Sequence, residues 1–136
     1  MEILQQDILF GLSQEQKVMQ KLANQFGNDL QKTTEQYCPY DFYTNDCKIE
    51  LKSRRCSSTQ YATTIIPVKK TETQGRLIFC FNFTDKLCFI EYDREKFSRY
   101  TIKDIEYVRA YGKRTSVPHY HIPCEDLTEI FMNDTL

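Results

Sequence analysis

The stretch Leu77-Ile-Phe-Cys-Phe-Asn-Phe is apolar at all but one position. A strand with one wet face alternates apolar and polar residues, because successive side chains point to opposite sides. A strand apolar on both sides has to be covered on both, as the centre of a layered sheet is. Asp85-Lys86 then makes a turn into Leu87-Cys-Phe-Ile-Glu-Tyr, which gives a hairpin of two core strands. The chain therefore has to supply material for two covering layers.

The rest of the sequence offers that material. Ser13, with Gln16 three residues on, has the form of a capping box. It predicts a helix over about 14–26 whose apolar stripe is Val18, Met19, Leu22 and Phe26, ended by Gly27 and Asn28. Residues 1–12 are too apolar for a free tail and are expected to form a packed arm. Residues 28–38 read as a polar connection in which Lys32 is a candidate phosphate contact. Gln60 to Ile66 leans extended up to Pro67, and Asp93 to Phe97 suits one helical turn. A strand is expected over Ile105 to Tyr111, a turn at Gly112, an extended run from Val117 to Ile122, and a short closing helix over Glu125 to Met132. The expected fold is α/β (α+β): one domain over 1–136, with a mixed sheet of about four to five strands flanked by helices.

Residues 40–55 carry the chemistry. Asn45-Asp46 is a plausible two-residue turn, since both residue types tolerate positive φ. Closing a ladder on it pairs Thr44 with Cys47, Phe42 with Ile49 and Asp41 with Glu50. Alternation then sets Glu50, Lys52 and Arg54 on one face and Ile49, Leu51 and Ser53 on the other. Two carboxylates placed opposite each other repel. A divalent cation between them reverses the sign, and Lys52 directs an ammonium at the same spot. The plainer account is a surface ion-pair network, which explains alternating charge but not acid set against acid.

Asp41, Glu50 and Lys52 in the pattern Asp-x8-Glu-x-Lys resemble the PD-(D/E)XK nuclease superfamily, with Tyr40 where that family commonly has proline. Together with Glu15 and a downstream lysine, the pattern looks like small phage or large-DNA-virus nucleases and, more loosely, Holliday junction resolvases. The resemblance implies a restriction-endonuclease-like fold and hydrolysis of phosphodiester bonds in DNA, with RNA left open and endonucleolytic action favoured. It implies Mg²⁺ or Mn²⁺ held by Asp41, Glu50 and the Leu51 carbonyl, with Lys52 beside the attacking water. Glu15 is either a further ligand from the first helix or a first-turn acid complementing the helix dipole. Arg54, Arg55, Lys69 and Lys70 flank the motif as candidate phosphate contacts, Lys69 resembling the downstream lysine of some relatives. A homodimer is expected by analogy only. The alternative is a non-catalytic nucleic-acid-binding or protein-interaction module on the same fold.

Composition narrows the classes further. A formal net charge of −1 argues against coating nucleic acid by bulk electrostatics, so phosphate contacts require a local patch. No apolar run approaches the roughly 20 residues a membrane span needs, and the N-terminus lacks a basic signal-peptide start. The expected location is intracellular, in the cytoplasm or nucleus of a host cell. Six cysteines without a Cys-x-x-Cys pair read as reduced, mostly buried thiols. His119 and His121 fit no zinc spacing and are expected to pack or line a groove.

Overall fold

The doubly apolar strand, β5 (Leu77–Asn82), lies inside a six-stranded sheet, and five of its six residues are buried. The computed structural model describes residues 15–131. β5 runs parallel to β3 (Lys48–Ser53) on one side and antiparallel to β6 (Leu87–Glu91) on the other. The Asp85-Lys86 turn is closed by the Phe83 N–H donating to the Lys86 carbonyl. β2 (Phe42–Tyr43) and β1 (Gln31–Lys32) extend the sheet beyond β3, and β9 (Thr128–Glu129) extends it beyond β6.

Each face of this sheet has its own core. On one face, Ile49, Ile78, Cys80 and Leu87 pack with Phe42 and Cys47 beneath the helix α1 over residues 15–26, which contributes Leu22, Val18, Met19 and Phe26. The predicted stripe is the buried one. Gly27 ends the helix at φ 147°, its N–H donating to Ala23. The capping Ser13 and the apolar arm of residues 1–12 lie outside the described residues.

The other face is covered by a layer that the sequence did not announce. β4 (Thr63–Pro67), β8 (Arg114–Pro123) and β7 (Thr101–Val108) form a second, three-stranded sheet in the order β4-β8-β7. Ile66, Ile122 and Tyr120 from it meet Leu77, Phe79 and Phe81 of the main sheet. Phe97, from the one-turn helix α2 (Arg94–Phe97) capped by Asp93, closes the end of this core against Phe79, Tyr92, Tyr100 and Tyr120. The architecture is thus α+β, with a helix on one face of a mixed sheet and a small sheet on the other.

Three expectations need correction. The main sheet has six strands, not four to five, because β1 forms within the supposed polar connection and β9 within the supposed closing helix. Residues 124–129 make a short 3₁₀ turn, Cys124–Asp126, and then β9; pairing of Cys88 with Glu129 and of Phe89 with Thr128 outweighs local helix preference. Ile130 follows, buried, with its N–H on the Leu87 carbonyl. The strand expected over Ile105 to Tyr111 begins at Thr101 and ends at Val108, and Val117 to Ile122 lies within the longer β8. The histidines do pack: His119 is buried, bonded through Nδ1 to the Val117 carbonyl and through Nε2 to the Tyr107 hydroxyl. All six cysteines are free.

Candidate active site

The hairpin turns at Asn45-Asp46 as expected, though neither residue adopts the positive φ that suggested it. Thr44 Oγ1 holds the turn by accepting the Asp46 and Cys47 N–H groups. The Thr44 N–H donates to the Cys47 carbonyl around Asn45-Asp46, and Phe42 pairs with Ile49. One residue earlier the ladder departs from ideal. The Asp41 N–H donates to the Ile49 carbonyl at 2.8 Å, so Asp41 and Phe42 both address Ile49, as in a β-bulge. Asp41 therefore does not stand squarely opposite Glu50. Its backbone is fixed on the other side by Thr33, whose N–H and hydroxyl both donate to the Asp41 carbonyl.

The bulge decides where the carboxylate goes. β2 pairs with β3 only at Lys48 and Ile49, so among the described residues no strand flanks the following residues of β3 on that side. Asp41 Oδ2 fills the gap by accepting the Leu51 N–H at 2.8 Å. The N–H and C=O of one strand residue point to the same side, so the Leu51 carbonyl faces this edge too. Asp41 and Leu51 also line an open pocket of about 400 Å³, together with Phe42, Ser53, Asn82 and the Glu15–Lys32 pair.

Glu50 sits on the face toward the small sheet, because its parallel neighbour Phe79 belongs to that core. It is only 4% exposed, which removes the surface-network account. Lys52 Nζ lies 3.2 Å from Glu50 Oε1. Lys70, from the 3₁₀ segment Val68–Glu72 that follows β4, lies 3.4 Å from the same oxygen and donates to the Pro39 carbonyl at 3.3 Å. Burial pushes the Glu50 carboxyl above its ordinary value and the nearby Asp41 charge adds to the push, while Lys70 and Lys52 pull it back down.

The structure brings Asp41, Glu50, Lys52 and Lys70 together around the Leu51 edge. Glu15 and Lys32 pair with each other at 2.5 Å across the pocket from Asp41. Arg54 is half-buried and donates to Thr64 Oγ1 and the Ile65 carbonyl, tying the two sheets together over the Phe81 ring. Arg55 and Lys69 are exposed. It is Lys70, not Lys69, that reaches the acids. From the sequence both are candidate phosphate contacts, with Lys69 singled out, since nothing local fixes the phase of a short 3₁₀ turn.

Among the described residues no group of three or more His, Cys, Asp or Glu converges as a metal cage would. Two carboxylates and a backbone carbonyl at one strand edge are hard oxygen donors, the kind Mg²⁺ and Mn²⁺ take while keeping several waters. By that chemistry Asp41, Glu50 and Leu51 are the residues that would hold such an ion. No described helix is long and apolar enough to cross a membrane. No protein family, curated protein or solved structure matches the chain.

Proposed function

We propose that this chain is a Mg²⁺- or Mn²⁺-dependent nuclease on a restriction-endonuclease-like fold, hydrolysing phosphodiester bonds in DNA as an endonuclease. One observation carries the reading: a buried glutamate next to an aspartate, matched by two ammonium groups, at the open edge of a strand. A packing residue at position 50 would serve the fold at least as well, given Phe79 beside it.

The divalent ion, when bound, acidifies a water and offsets charge that builds on the phosphate. The chain's residues do the rest. Asp41 is held by its Leu51 bond, so its second oxygen has a fixed direction. Lys70 and Lys52 oppose the burial that raises the Glu50 carboxyl. Lys52, partly exposed, orients the attacking water and stabilises the developing oxyanion. Lys32 and Arg55 are phosphate contacts on the approaches, whereas Arg54 serves the link between sheets. An intracellular location and a homodimer belong to the same reading.

The test is incubation of supercoiled plasmid and single-stranded DNA with Mg²⁺, Mn²⁺ or EDTA, beside Lys52→Ala. Cation-dependent nicking that the variant lacks is the expected result; nicking that survives in Lys52→Ala refutes the assignment. One observation favours a second reading. Both lysines already neutralise Glu50, so the site is balanced in charge without a cation. DNA retardation without cleavage under any cation would mark a binding module.

A further inference from the structure

β8 pairs with β4 only from His119 to Pro123, while β7 pairs with β8 from Val108 and Arg114 down to Thr101 and His121. Among the described residues the outer half of the β7–β8 hairpin is therefore a two-stranded ribbon with no third strand. Its outer end, from Tyr107 to Thr115, carries Arg109, Lys113 and Arg114, on a chain of net charge −1. Glu106, just inside it, pairs with Arg114 at 3.5 Å through two exposed side chains that a phosphate can separate. Tyr111 stands at the tip with its side chain wholly exposed, at 105% of reference. Its φ is 69°, a conformation that disfavours any bulky residue. A fold that gained only a turn here would place glycine or asparagine at that position. A backbone outlier that carries an aromatic with no packing among the described residues is the kind of cost that a functional contact would offset.

We propose that this ribbon is a DNA-binding arm that enters a groove of duplex DNA, with Arg109, Lys113 and Arg114 on the phosphates and Tyr111 leading toward the base edges. The major groove admits a two-stranded ribbon of this width. Charge complementarity selects the occupant. A second copy of the chain is disfavoured by the edge sequence of β7. Pro118 has no N–H, so opposite it Asp104 turns its backbone groups outward, in phase with Ile102, Glu106 and Val108. Antiparallel self-pairing in that phase sets Asp104 against Asp104 or Glu106, and shifted alignments set Lys103 against Lys103 or Glu106 against Glu106.

The inference takes its substrate from the nuclease reading, yet its test needs no cleavage. Binding of the full chain to a labelled short duplex is followed by fluorescence anisotropy in EDTA across a salt series. Replacing Arg109, Lys113 and Arg114 together by Ala should raise Kd about tenfold or more and flatten the salt slope by about 2 to 3, near 0.9 per lost phosphate contact. Tyr111→Gly relieves the φ strain, so it should melt at or above the wild-type temperature while binding about fivefold more weakly. Variants with the wild-type Kd and salt slope overturn the proposal, as does a wild type that fails to bind duplex. A wild-type dimer that the triple variant converts to monomer overturns it too, since the ribbon then serves another copy. Binding that depends on the arm, in a protein that never cuts, sinks the nuclease reading and leaves the arm standing.

Discussion

Lys70→Met is the sharpest probe of how the acid cluster is held. Its ammonium lies 3.4 Å from a Glu50 oxygen, and Glu50 is almost fully enclosed. At that distance the gross attraction is about 5 kcal/mol in an effective dielectric of about 20. Two features of the site reduce it. Lys52 remains at 3.2 Å from the same oxygen, and Lys70 is itself part-exposed, so water replaces some of what is lost. The net loss should be about 1–2 kcal/mol, below that of a fully buried pair. Unfolding entropy of about 2.1 cal/mol/K per residue over this chain converts that to a fall in Tm of roughly 3–7 °C. The pH dependence separates charge from packing. The attraction exists only while Glu50 is ionised, and its carboxyl already lies above the ordinary value, chiefly through burial. The deficit is therefore full well above that raised pKa and closes as pH falls through it. Closure begins at the variant's own, higher pKa and is complete below that of the wild type, because the variant carboxyl is pushed up further. Thermal melts of wild type, Lys70→Met, Glu50→Gln and the double variant, in EDTA at neutral and mildly acidic pH, make the measurement. A deficit of equal size at both pH values, or one undiminished when Lys70→Met is combined with Glu50→Gln, would show that Lys70 acts through its aliphatic stem, and the electrostatic argument would fail.

Two further outcomes follow from the same hairpin and its neighbours. At Gly27, φ is 147° and an added Cβ would stand 2.6 Å from Asp29 Oδ1, while Asp29 Oδ2 accepts the Asn45 N–H at the tip of the β2–β3 turn. Gly27→Ala should therefore destabilise by about 1–3 kcal/mol in urea melts, and a loss below about 0.5 kcal/mol would show that the helix end is not fixed as described. Asp85, bonded by the Ser58 hydroxyl and N–H, has its carboxyl held below the ordinary value by those two bonds. That stabilisation is present above the unfolded pKa and is lost as pH falls through the folded one, so the Tm gap between wild type and Asp85→Asn should narrow in acid; a constant gap refutes the linkage.

What could be read from the sequence was local. The helix stripe, the Asn45-Asp46 and Asp85-Lys86 turns and the doubly covered β5 each announce themselves within a few residues, and each is found. The second sheet was legible only as separate extended stretches over 60–66, 105–111 and 117–122, not as a paired layer. β7 is an edge strand exposed along nearly its whole length, with charges on both faces, so no burial pattern marks it. β9 exists through two cross-strand pairs to β6, and β1 through two to β2, contacts that no window of the sequence contains. The site was legible in identity more than in geometry. Asp41, Glu50 and Lys52 come together, but the bulge at Asp41 and the arrival of Lys70 depend on backbone hydrogen bonds and chain tracing that alternation cannot supply.

The bulge also bears on why these residues sit where they do. A strand edge left without a partner is a liability, and a buried carboxylate is another. Here both occur within two residues of β3, and each is relieved by charged side chains: Asp41 on the Leu51 N–H, and Lys52 of the same strand with Lys70 on Glu50. A fold under pressure for stability alone could avoid both by continuing β2 for one more pair and placing an aliphatic residue beside Phe79. Keeping the two together leaves a carbonyl, two carboxylates and two ammonium groups at one strand edge. Local rules broken jointly at a single place, and compensated there, mark function more strongly than any one of those residues does.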